Sequence, residues 1–161
     1  MRRSALCADR VRAKELCHAY NQLRPSDAAG MRELLRRLLG KTGETFCVTV
    51  PFWCDYGYNI RLGEHFYANH NLVILDCAAV TFGEHVFVAP NCGFYTAGHP
   101  IDAVRRERGL EYAYPITVGD HVWIGGSVVV KDIPSDSVAV GNPCRVIRPI
   151  TEADKQTCWD R

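Results

Sequence analysis

Ile60-Arg61-Leu62-Gly63-Glu64-His65, Val80-Thr81-Phe82-Gly83-Glu84-His85 and Ile116-Thr117-Val118-Gly119-Asp120-His121 are three versions of one phrase: apolar, polar, apolar, Gly, acid, His. An apolar residue that returns every sixth position fits neither the 3.6-residue helical period nor a plain strand alternation. It predicts a mainly β fold, a parallel β-helix built from hexapeptide units. The beats run through Ile60, Phe66 and Leu72, then Val80, Val86 and Cys92, then Ile116, Val122 and Val128, and end at Val138 and Cys144. Each beat is read as an inward side chain. The Gly is read as the corner residue, where a tight turn favours the absence of a Cβ, with the acid and His facing water. Each coil buries its apolar face only against its neighbours, so the stack needs covers at its ends.

Working outward, residues 9–20 and 27–39 carry helical signals. In the second, Ser26 is the expected N-cap, Met31, Leu34, Leu35, Leu38 and Leu39 share a face, and Gly40 is a natural stop. The expected organisation is a short α-helical cover over residues 1–45, a β-helix over 46–149 with a polar loop insertion at 95–115, and a tail at 150–161. Long loops inside compact domains tend to carry function. Trp159 in the tail suggests that it packs on something.

Composition narrows the class. A net charge of +1 over 161 residues argues against nucleic acid or an anionic membrane as the main partner. No apolar run approaches the ~20 residues that span a bilayer, and the first ten residues lack the apolar core of a signal peptide. A soluble cytoplasmic protein is the expectation. Its eight cysteines include no C-x-x-C pair, and Cys92 and Cys144 read as small buried hydrophobes.

The segments Cys54-Asp55-Tyr56-Gly57-Tyr58-Asn59-Ile60, Tyr67-Ala68-Asn69, Gly98-His99-Pro100, Val122-Trp123-Ile124-Gly125-Gly126, Lys131-Asp132-Ile133-Pro134 and Gly141-Asn142-Pro143-Cys144-Arg145-Val146-Ile147-Arg148 together resemble the maltose and galactoside O-acetyltransferases of the hexapeptide-repeat superfamily. The resemblance covers residues 12–149. It implies a left-handed β-helix, a homotrimer with active sites between subunits, acetyl-CoA as donor, no metal, and a sugar or similar small polyol as acceptor.

Acetyl transfer from a thioester to a hydroxyl requires the alcohol to lose a proton as it attacks, and a neutral imidazole suits that task near neutral pH. His99 stands in the long loop, and Pro100 biases it toward an extended backbone. By resemblance His99 is the general base and Glu111 its orienter. His65, His85 and His121 share the corner position, His18 lies on the cover, and His70 neighbours Asn69. The resemblance further implies that Asn69 and Asp76 meet the acceptor and that Trp123 lines the thioester. It makes the N–H around Gly126 the oxyanion donor, and Lys131, Arg145 and Arg148 the partners of the CoA phosphates. Galactoside-type relatives carry a second acid where this chain has Cys77.

Relatives usually run three more hexads between Gly126 and Ser127, one full coil. The step from Val122 to Val128 is still six, so the shortened stack is expected to keep its phase, with the phosphate-binding arginines drawn ~4.8 Å closer to His99. The N-terminal cover also looks shorter than in relatives. Two other readings stand beside the enzyme. One is a non-catalytic trimeric scaffold whose CoA site lapsed with the lost coil. The other is a metal-dependent hydratase using His65, His70 and His85.

Overall fold

Residues twenty positions apart pair side by side: Phe46 with Phe66, Phe52 with Leu72 and Ile60 with Val80, all in parallel. Such pairing makes a coil with three faces. The computed structural model describes residues 2–156, with side chains from Ala5 onward.

Two helices, α1 (Arg2–Asn21) and α2 (Ala28–Leu38), come first. The opening coil is β1 (Phe46–Val48), β2 (Phe52–Cys54) and β3 (Ile60–Arg61), one strand per face. The second is β4 (Phe66–Ala68), β5 (Leu72–Leu75) and β6 (Val80–Phe82). The third begins with β7 (Phe87–Val88) and β8 (Gly93–Tyr95). It then leaves the stack through β9 (Ala97–Gly98), a short α3 (Ala103–Glu107) and β10 (Tyr112–Ala113), and re-enters as β11 (Ile116–Val118). A long β12 (Trp123–Val129) supplies two faces of the fourth coil, and Ile133 bridges to Val118 on the third. The stack closes with β13 (Ser137–Gly141) and the antiparallel β14 (Arg145–Pro149), followed by a 3-10 turn at Glu152–Lys155.

Inward side chains form one column per face. Phe46, Phe66, Val86 and Val122 line the first; Phe52, Leu72 and Cys92 the second; Ile60, Val80 and Ile116 the third, all buried. Burying a side chain of this size contributes ~1.5–3 kcal/mol, and stacked columns obtain it without a central sheet. Phe82 packs on Phe66 and Phe94 with centroids 4.8 Å away from each, filling the axis.

The corners differ from expectation. The left-handed residue is the His, with φ of 56°, 54° and 55° at His65, His85 and His121, not the Gly two residues earlier. Gly63 and Gly83 are demanded by close approach instead: a Cβ on Gly63 would lie 2.1 Å from the Gly83 carbonyl oxygen, and one on Gly83 would lie 2.8 Å from the Gly119 carbonyl carbon. The three imidazoles stack, with centroids 4.6 and 5.1 Å apart.

The phase does not survive into the last coils unchanged. Val128 pairs with Gly93, so Ser127, not Val128, lies over Cys92 and points inward. Ser127 is buried and Val128 half-buried. Val138 likewise pairs with Trp123, which puts Ser137 over Val122, while Val138 faces outward beneath β14. The reason is a short corner. Between the inward residues of the first and second faces stand three residues in earlier coils, Asn69-His70-Asn71 and Ala89-Pro90-Asn91, but only Gly125-Gly126 in the fourth. Asn71 and Asn91 hold φ of 63° and 61° and are joined by a 2.9 Å side-chain hydrogen bond; the fourth coil has no residue at that left-handed position. The chain instead runs straight through as β12, with a register shift between Ile124 and Ser127.

At the N-terminal end, Ala13, Cys17 and Tyr20 recur on one face of α1 and are buried. The Tyr20 hydroxyl donates to the Val48 carbonyl. The Asn21 amide donates to the Phe52 carbonyl at 3.0 Å and accepts from its N–H at 2.9 Å, filling the open edge of β2 as a strand would. α2 is capped by Asp27, whose carboxylate accepts from Gly30 N–H, so the cap falls one residue after the expected Ser26. Among the described residues no helix is long and apolar enough to cross a membrane. The seven described cysteines are free thiols, with Cys92 buried and Cys144 half-buried. Trp159 lies outside the described residues.

Candidate active site

The loop that carries His99 is a built structure. β9 and β10 form an antiparallel ribbon with Gly98 opposite Tyr112, and the Tyr112 ring fills the space where a Gly98 Cβ would lie. Asp102 caps α3 by accepting from Arg105 N–H, and Arg106 donates to the carbonyls of Pro100 and Ile101 at 3.1 and 2.8 Å. His99 Nδ1 lies 3.1 Å from the Leu110 carbonyl oxygen. A carbonyl only accepts, so Nδ1 carries the proton and Nε2 keeps the lone pair. Glu111, the expected orienter, does stand against the ring. Its carboxylate stands on the other side, 3.9 Å from Nε2, and its second oxygen is 3.6 Å from Arg10 Nη2.

Glu111 opens onto a pocket of about 250 Å³ whose walls include Arg10, Tyr56, Tyr58, Cys77 and Tyr112. Arg10 reaches in from α1, lies over the Tyr56 ring at 5.1 Å and approaches Cys77 Sγ at 3.5 Å. Its buried Nε has no hydrogen-bond partner among the described residues. Burial pushes the Cys77 thiol up. The sequence reading missed Arg10, Tyr56 and Tyr58; Arg10 sits on an unremarkable helical stretch, and only the packing of α1 onto the coil brings it to the loop.

Asp76 is fully buried. Its carboxylate accepts from the N–H groups of Asp55, Tyr56 and Gly57 at 3.0, 2.9 and 2.7 Å. Burial raises its pKa while these bonds oppose the rise. Asp76 therefore builds the turn that presents Tyr56 and Tyr58.

The other expected residues fall on different edges. Asn69 follows β4 at the corner between first and second faces, with its Oδ1 accepting from His70 N–H at 2.7 Å. Gly126 stands on that same corner, over Pro90, and Trp123 lies beside it in an outward row with Tyr67 and Phe87. The His99 loop departs from the next corner, after β8 on the second face. A single chain thus brings His99 to Glu111 and Arg10, and Asn69 to the edge of Gly126, but does not join the two sets. Lys131 and Arg145 share a pocket of about 200 Å³ beneath the end of the stack. Arg148 does not join them: its guanidinium holds both oxygens of Asp154 at 2.7 and 2.9 Å, which brings that carboxyl down to about 2. His65, His70 and His85 do not converge, since His65 stacks on His85 and His70 Nδ1 meets the Val50 carbonyl. Among the described residues no group of three or more His, Cys, Asp or Glu is placed to hold a metal.

Residues 3–43 match the maltose acetyltransferase hexapeptide capping motif. The galactoside O-acetyltransferase of Escherichia coli is 39% identical over 165 positions, covering 91% of this chain and 81% of its own length. The chain belongs to the maltose and galactoside O-acetyltransferase family. The structure of a galactoside acetyltransferase in complex with coenzyme A superposes with a TM-score of 0.86 at 38% identity, over 96% of this chain and 87% of that one. Within the family, the Saccharomyces cerevisiae protein YJL218W is 52% identical, covering 92% of this chain and 85% of its own. That alignment spans 167 positions, and 92% of 161 residues is about 148, so about 19 positions of the relative have no counterpart here. Three hexads and one further residue have that length, which matches a lost coil and a short corner together.

Proposed function

We propose that this acetyltransferase moves an acetyl group from acetyl-CoA to a hydroxyl of a sugar or similar small polyol, with His99 as general base. The observation that carries this reading is the contact of His99 Nδ1 with the Leu110 carbonyl, which in the neutral ring leaves the lone pair on Nε2, the atom facing Glu111 at the wall of the tyrosine-lined pocket. The acceptor hydroxyl gives its proton to Nε2 as its oxygen adds to the thioester carbonyl. The oxyanion then collapses, the C–S bond breaks, and the imidazolium returns the proton to the CoA thiolate. Glu111, between His99 and Arg10, favours the imidazolium that forms in between.

Lys131 and Arg145 supply cations suited to the donor's phosphates in a pocket they share with Asp132, whose carboxylate accepts from Thr117 N–H. Arg148, committed to Asp154, is left out of that role. A homotrimer, with the left-handed winding that the family implies, accounts for two features. It gives the exposed row of Phe87 and Trp123 a partner surface, and it allows one protomer's Asn69 and Gly126 edge to face its neighbour's His99 loop.

The test is acetyl transfer from acetyl-CoA to glucose, maltose and galactosides, following free CoA. Turnover is expected in the native protein and a loss of at least ~100-fold in His99→Ala. Folded native protein without turnover at high donor concentration would instead support a scaffold whose donor site lapsed, the reading that the lost coil favours.

A further inference from the structure

The short corner leaves a distinctive peptide. The Gly125 carbonyl oxygen accepts the Ser127 hydroxyl at 2.6 Å and the Cys92 thiol at 3.3 Å. Both donors are buried inward residues, 4% and 1% exposed, so this carbonyl is turned into the prism rather than along the sheet. In a trans peptide the C=O and the following N–H point in opposite directions. The Gly126 N–H must therefore face outward, on the exposed corner between the first and second faces. The corners below hold their shape with left-handed Asn residues linked by their amides; this one, short by a residue, uses two side chains from the core. Gly125 is itself confined, since a Cβ there would fall 2.7 Å from Val140 Cγ1.

We infer that Ser127 and Cys92 are positioning residues that lock the Gly125–Gly126 peptide, carbonyl in and N–H out, so that the Gly126 N–H meets the acyl oxygen of the donor as it gathers charge. This rests on the acetyl-transfer reading above. An oxyanion donor works because its direction is fixed before the reaction. An inward carbonyl without partners would be costly to keep, and the peptide would rotate to seek water, taking the N–H with it. The two core donors remove that tendency. The hydroxyl is the stronger of the pair, as thiols donate weakly.

The sequence holds a single Gly-Gly step, Gly125-Gly126. Protein grown on glycine labelled with carbonyl 13C and with 15N therefore gives one carbonyl-to-amide correlation, from the Gly125 carbonyl to the Gly126 amide. That signal is compared in the native protein, Ser127→Ala and Ser127→Cys, alongside steady-state acetyl transfer. In Ser127→Ala the Gly125 carbonyl signal is expected to move upfield, and kcat to fall about tenfold or more with KM for acetyl-CoA nearly unchanged. Ser127→Cys, which keeps a donor, recovers part of both. A role in stability alone would lower the melting temperature without this split. The inference is overturned if the Gly125 signal is unmoved in Ser127→Ala, or if that variant keeps its kcat, or loses donor affinity with kcat intact. Absence of turnover in the native protein overturns the acetyl-transfer reading by itself, and the Gly125 signal still decides whether the lock exists.

Discussion

Asp76 and Asp154 show how differently two carboxylates are used at opposite ends of one small stack. Asp76 is buried and serves three backbone N–H groups. Replacing it by Ala orphans all three in a site water does not reach, a loss of roughly 3 kcal/mol or more at ~1–3 kcal/mol per orphaned group. Urea unfolding of Asp76→Ala should show that loss, and a change under 1 kcal/mol would mean that water or relaxation satisfies the turn. Asp154 lies at the surface, and the Arg148 guanidinium first, then Thr151 N–H, hold its carboxyl down at about 2. A carboxyl whose folded pKa is depressed stabilises the fold above its unfolded value of ~3.9 and loses that contribution as pH falls toward the folded value. The C-terminal turn is therefore expected to loosen between about pH 4 and pH 2. Carboxyl NMR should find the Asp154 midpoint near 2, and Arg148→Ala should move it up toward the ordinary range. A midpoint that ignores Arg148 would mean the bidentate pair does not persist in solution. Neither set of contacts was legible in the sequence, where Asp76 resembles a sugar ligand and Arg148 a phosphate ligand; the first depends on a turn twenty residues away and the second on a carboxylate six residues on.

At the scale of elements, the hexad beat was readable because a repeated corner forces a repeated inward residue. Ile60, Phe66, Leu72, Val80, Val86, Cys92, Ile116 and Val122 all point inward as their spacing requires. The reading slipped by one residue where the corner lost a residue, because Ser127 and Val128 are equally plausible on a sequence of apolar and small residues. Only pairing with Gly93 tells them apart. The glycines were located correctly and explained wrongly, since close stacking and a positive φ leave the same letter in the sequence. The helical edge depends on an element contact that no periodicity reveals: Asn21 replaces a missing strand for Phe52. Asn21→Ala removes both bonds and is expected to cost roughly 1–3 kcal/mol, with faster amide exchange at Phe52. Unchanged exchange there would show that α1 is held by Cys17 and Tyr20 packing alone. Gly63→Ala pushes a methyl into the Gly83 carbonyl and should be worse, since neither backbone can yield without parting two coils.

For the whole molecule, the decisive feature is the length of the stack: the 167 positions aligned with the yeast relative exceed this chain's share of them by about 19, the size of one coil and a corner residue. A stacked solenoid tolerates such a shortfall because each coil touches only its neighbours, but the splice must still satisfy the three-residue corner used elsewhere. Restoring a coil between Gly126 and Ser127 is therefore a question of arithmetic. An insert of about 18 residues, three hexads, leaves one corner short wherever it is placed. An insert of about 19 supplies the missing left-handed corner residue as well and sets Ser127 inward at the end of a full coil, matching the gap against the yeast relative. If the short corner is a local strain tolerated by the Ser127 and Cys92 bonds, the longer insert should be the more stable of the two by roughly 1–3 kcal/mol. A family-derived sequence with Asn at the added corner position provides the insert, and thermal melts of both versions decide it. Equal melting temperatures would mean that a two-residue corner carries no strain, and that the inward Gly125 carbonyl is simply another way to turn a prism.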